Sequence, residues 1–244
     1  MAQIDRKGIE NYFKPFPKWA AWFIVLGVIT IPAYGLGIVL IIIGILGLVL
    51  NKRPSDTQMD NWFTEESNDF QGKALSKCGV DSTECVAEPV VVWGPRIENR
   101  GNAPLLVKKG KDSIIRYNPV DVTIINFGAD QLLCYQCAYD RTSGGFLMET
   151  TEEYFYRDVV SVATSTKSEV KEIEVGKEKK KVQSKSREVF QLTTSGGTSI
   201  TVVLKDEGLI ASDELKLKGG QMPTTQAEKA IQSVRRMLRD KKKS

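Results

Sequence analysis

Residues 19–50 read WAAWFIVLGVITIPAYGLGIVLIIIGILGLVL, without one charged side chain, in a chain that elsewhere carries 34 lysines and arginines and 30 aspartates and glutamates. The run exceeds the roughly 18 consecutive apolar residues of a membrane-span candidate and is about twice as long as the core of a signal peptide. It predicts an integral membrane protein in which an apolar anchor holds a larger polar body. Near its middle, Pro32 and the glycines at 35 and 37 interrupt the pattern, because proline removes a helical donor and glycine permits tight bends. Three arrangements follow: a short helical hairpin, a single tilted and kinked span, or a span only from Pro32 onward with the aromatic stretch around Trp19, Trp22 and Phe23 at the interface.

The flanks bear on that choice. Arg6, Lys7, Lys14 and Lys18 precede the run, and Lys52 and Arg53 follow it. Basic flanks favour the cytoplasmic side, so a hairpin with an uncharged bend at Pro32 and Tyr34 satisfies both ends. Trp19, Trp22 and Phe23 then sit at the interfacial end of the anchor. The expected location is the cytoplasmic (inner) membrane, with the polar domain in the cytoplasm and membrane lipid as a partner through the anchor.

Outward from the anchor, the sequence divides into three expected regions: the anchor with its basic flanks over 1–54, a helix with connecting strands over 55–118, and a β-rich domain over 119–244. Ser55 or Asp56 is placed to cap a juxtamembrane helix running to about residue 77. Met59, Trp62, Phe63, Phe70 and Ala74 share one stripe of that helix, with Glu65, Glu66 and Asp69 around it. An acidic opposite face directs the stripe toward the protein rather than toward anionic lipid.

From residue 88 the period changes. Strands are predicted over 90–93, 120–127, 132–139, 146–156, 159–163, 170–175, 182–193 and 199–204, separated by turn clusters such as Gly128-Ala129-Asp130, Ser143-Gly144-Gly145 and Ser195-Gly196-Gly197. A final helix is predicted over 225–239, opened by a Thr225 and Glu228 capping box and presenting Ala227, Ile231, Val234 and Leu238 on one face.

This order of strands and helix resembles the pleckstrin-homology-like fold, including the small domains of that kind in bacterial membrane proteins. Glu153-Tyr154-Phe155-Tyr156-Arg157-Asp158-Val159-Val160 is similar to the stretch with which such domains open a mid-domain strand, and 190–202 resembles their last hairpin. The resemblance covers roughly 120–240. It implies an α+β chain whose mainly antiparallel barrel is closed by the C-terminal helix through Ile231, Val234 and Leu238. Phosphoinositide-binding members carry a basic pattern at the first hairpin, whereas 126–131 here reads NFGADQ, so headgroup recognition does not carry over.

Chemistry is sparse. The chain has no histidine, which excludes every Ser-His, Cys-His or His-metal mechanism. Cys134 and Cys137 have the spacing of a zinc half-site, but residues three apart on a strand point to opposite faces. No metal, cofactor or small-molecule substrate is expected, and a net charge of only +4 without a reader motif argues against nucleic acid. Lys177, Lys179, Lys180, Lys181, Lys185 and Arg187 form a basic hairpin, read either as a solvated tip or as a contact for lipid or a partner. The leading expectation is a non-enzymatic interaction or scaffold module whose partner is another protein or a second copy of itself. An anionic-lipid-sensing surface and an unrecognised enzyme are the alternatives.

Overall fold

The computed structural model describes residues 4–31, 36–97, 99–175, 178–206, 220–221 and 227–241. Pro32, Tyr34, Lys177 and Thr225 lie outside the described residues. The chain forms two compact units, Met1–Asp60 and Asn61–Ser244.

In the first unit, helix α1 (Arg6–Phe13) is capped by Asp5, whose Oδ1 accepts from the Gly8 amide at 2.9 Å. The apolar run becomes two helices, α2 (Lys18–Thr30) and α3 (Leu36–Leu50). A Cβ on Gly27 would lie 2.6 Å from the Gly37 carbonyl, and one on Gly44 would lie 2.5 Å from Ile24 Cγ1. One on Gly47 would lie 3.0 Å from Ala20 Cβ, so the arms run antiparallel and meet through their smallest residues. The buried positions of the two arms are Ala20, Gly27, Gly37, Gly44 and Gly47, while Trp22, Ile29, Leu36 and Val49 are exposed. Tyr12 donates to Asp56 Oδ1 at 2.7 Å, and Arg53 donates to the Lys14 carbonyl.

These helices correct the expectation of an integral, membrane-spanning anchor. Among the described residues, no helix is long and apolar enough to cross a membrane. The run is long as sequence but not as continuous helix: arms of 13 and 15 residues rise about 20 and 22 Å, against a hydrocarbon core near 30 Å. The inner-membrane location and the juxtamembrane role assigned to the next helix fall with it.

That helix, α4 (Asp56–Cys78), begins where Ser55 Oγ accepts from the Gln58 amide at 3.1 Å. Among the described residues the second unit contains nine strands: β1 (Ala87–Pro95), β2 (Leu106–Lys109), β3 (Ile115–Asn118), β4 (Val120–Phe127), β5 (Gln131–Asp140), β6 (Gly145–Phe155), β7 (Val159–Val175), β8 (Glu178–Thr194) and β9 (Ser199–Asp206). The last helix is α5 (Ala227–Lys241). Strands pair antiparallel in three sheets ordered β1-β4-β5-β6, β2-β3 and β7-β8-β9.

The α+β composition holds, but the expected closed barrel does not form among the described residues. After β6 the turn Tyr156–Asp158 starts a separate sheet, so that among the described residues β6 and β7 are outer strands of their sheets. Side chains rather than a continuous ladder join the two larger sheets. Val90, Val92, Ile125, Phe127, Leu132 and Tyr154 pack with Val159, Leu192 and Ile200, and Ile231, Val234 and Leu238 of α5 lie in the same core. Full burial of such side chains contributes about 1.5–3 kcal/mol each.

The other face of the four-stranded sheet is also covered. Phe70 and Ala74 of α4 pack with Val91, Ile115, Tyr117, Val122, Ile124, Tyr135 and Tyr139. Double coverage explains why seven of the eight residues of β4 are buried instead of every second one.

Candidate functional site

The sequence of β7 opens Val159-Val160-Ser161-Val162, and its alternation turns Val159 into the core and leaves Val160 outward, 59% exposed. Beside it runs α5, whose stripe 231, 234 and 238 seats the helix and thereby sets Arg235 and Arg239 one turn apart on its exposed side. Between strand and helix lies a groove of about 430 Å3 lined by Val159, Val160, Ser161, Val162, Arg235, Leu238 and Arg239. Its floor is apolar, its rim is cationic, and one wall is β7, an outer strand of its sheet among the described residues. Such an edge presents a row of backbone donors and acceptors that another strand can satisfy.

Sequence reasoning found the stripe of α5 but not the groove, because no local pattern shows that β7 is an edge strand. The basic hairpin is placed differently. Its described residues lie on β8, where the register sets Lys181 opposite Glu172 and Lys179 opposite Glu174. Opposite-charge residues at paired positions favour that register. Trp19 and Trp22 are exposed on α2, and Trp19 meets Phe23 edge to face at 5.9 Å.

The four cysteines are free thiols. Cys134 belongs to the core beneath α5 and Cys137 to the core beneath α4, so the two lie on opposite faces of β5 and cannot grip one ion. Burial raises the Cys134 thiol and pushes Cys137 up to about 12, away from the thiolate that binds metal or attacks carbon. Among the described residues, no three acids or cysteines are grouped to hold a metal ion.

Two polar clusters stiffen the second unit. Glu149 on β6 takes the Lys73 ammonium at 2.7 Å and the Tyr135 hydroxyl at 2.6 Å, while Lys73 also lies 3.4 Å from the centroid of the Phe146 ring. Partial burial works against the Glu149 carboxylate, but the bonds from Lys73 and Tyr135 prevail and hold it below its ordinary range. At the β5–β6 turn, Asp140 accepts from Asn118, Thr142 and Ser143. A smaller cavity, about 120 Å3, lies between the sheets and includes Arg96, Asp121, Thr123, Gln136 and Thr201 in its lining. Its Arg96 is spent on Asp121 at 2.8 Å and on the Asn99 carbonyl.

No family model, no curated protein and no solved structure matches the chain.

Proposed function

We propose that this chain is a non-enzymatic interaction module with a pleckstrin-homology-like second unit, and that the groove between β7 and α5 receives an extended segment of a protein partner. The observation that carries this reading is the coincidence, among the described residues, of an outer strand with an apolar floor and two arginines. Strand addition supplies main-chain hydrogen bonds, and pockets beside the edge select alternate side chains of the incoming segment. Division of the strands into sheets of four and three, with a helix seated on their shared core, supports the fold assignment.

Arg235 and Arg239 favour an incoming segment that bears carboxylates, since complementary charge raises encounter rates and fixes register. A photoreactive residue at Val160 of the full chain should form adducts in cells that are lost in the R235E/R239E variant. The same label at the exposed Glu88 is the control. Adducts no more abundant at Val160 than at Glu88, or unchanged by the charge reversal, would reject the groove as the binding surface.

A further inference from the structure

From the apolar surface of the first unit we infer that the α2–α3 hairpin packs against the same hairpin of a second copy of this chain, an interface separate from the groove. The residues buried within the two arms are the smallest ones, Ala20, Gly27, Gly37, Gly44 and Gly47. The large side chains turn outward. Among the described residues, seven large apolar side chains over 19–31 and nine over 36–50 are between 41% and 68% exposed, Trp22, Val28, Ile38 and Ile45 included. Together they leave on the order of 1,500 Å2 of apolar area open, against roughly 300–600 Å2 for the largest patch on an ordinary monomer. A stable interface buries about 800 Å2 on each partner, so half of this surface from each copy is enough to build one.

Charge, length and stiffness select the second copy as the occupant. Residues 19–50 hold no lysine, arginine, aspartate or glutamate, and a two-fold contact sets each patch against its own image. A patch of one sign would meet like charge there, whereas an uncharged aliphatic patch meets its image without repulsion and without burying an ion. A partner recognised by charge finds nothing on these arms to pair with. Arms of 13 and 15 residues rise about 20 and 22 Å, short of a hydrocarbon core near 30 Å. A second hairpin matches them end to end. Val28, Ile29, Ile38, Ile42, Ile45 and Val49 are β-branched, so their side chains are already stiff and lose little freedom when an interface orders them.

The test uses two differently tagged full-length copies expressed together, one with a photoreactive residue at Ile45. The expected product joins the two tags, and the adduct maps in the second copy to 18–50. With V28N/I38N in both copies its yield should fall about tenfold, a loss of about 1.4 kcal/mol. The disulfide of A20C/G47C, whose Cβ positions lie 3.0 Å apart between the arms of one copy, should still form in that variant. An adduct lost while this disulfide is kept means that contact between copies has gone and the hairpin has not. Adducts that never join the two tags, whether they fall on lipid, on other proteins or on residues 61–244 of the same chain, would overturn the inference. So would an inter-copy adduct that maps outside 18–50 or is indifferent to V28N/I38N. The groove reading stands or falls separately, because it is read at Val160.

Discussion

Glu66 of α4 and Arg141 at the β5–β6 turn form an ion pair, Oε2 to Nε 2.7 Å, with side chains only 2% and 5% exposed. The Arg141 guanidinium also lies 5.0 Å from the Phe63 ring, and its amide donates to Asn118 Oδ1 at 2.7 Å. Arg141 therefore joins α4, the turn and the end of β3 into one structure.

Removing one partner of such a pair leaves the other charge buried without compensation. E66A should destabilise the protein by about 3 kcal/mol, whereas replacing both with apolar residues of similar volume, E66L/R141M, should recover most of that loss. Urea unfolding of the three proteins measures this. A single variant as stable as the parent would contradict the burial of the pair.

The α2–α3 hairpin rests on glycines whose missing Cβ atoms are space that the opposite arm occupies. A20C/G47C should form a disulfide on mild oxidation with a small parting of the arms, because the two Cβ positions lie 3.0 Å apart, just under the roughly 3.5–4.5 Å that a disulfide spans. Adding Gly27→Val should reduce its yield, since the new Cβ would meet the Gly37 carbonyl at 2.6 Å. Gel mobility under non-reducing conditions reports both, and equal yields would show that the arms do not touch at Gly27.

Thiol reactivity should divide the cysteines by burial. Cys78 and Cys85 are partly exposed, whereas Cys134 and Cys137 are buried, and burial raises all four thiols. Pulse alkylation at about pH 8, near the ordinary thiol range, followed by peptide mass analysis, should label Cys78 and Cys85 first. Cys134 and Cys137 should become labelled only as the sheet opens. Early labelling of Cys134 would contradict the packing beneath α5.

Acid should weaken the β5–β6 turn. Partial burial disfavours the charged form of Asp140, but bonds from Thr142, Asn118 and Ser143 outweigh it and hold the carboxyl below its usual range. A lowered folded value means stability that is complete above the unfolded carboxylate pKa, near 3.9, and lost as pH falls through the folded value. The urea midpoint of the parent should therefore fall more steeply below about pH 5 than that of D140N. Parallel profiles would remove Asp140 from the acid response.

The sequence was most informative where a local pattern has one physical solution. The stripe of Ile231, Val234 and Leu238 could be buried only on a core, and it is. Three-residue spacing on a strand put Cys134 and Cys137 on opposite faces. The proline and glycines within the apolar run were visible as interruptions, yet counting apolar residues across them overstated the helix, because a span depends on continuous rise and not on composition.

Tertiary structure alone decided the rest. Periodicity predicts that 159–163 is a strand, but whether it is central or at an edge depends on which chain segments lie beside it. The strands predicted separately over 159–163 and 170–175 form the single β7, and the turn before it opens a new sheet instead of closing a barrel. Local sequence fixed the α5 stripe and the turn residues because these depend on backbone torsion and burial within a few residues. The groove and the Glu66–Arg141 pair join segments far apart in sequence, and only long-range packing brings them together.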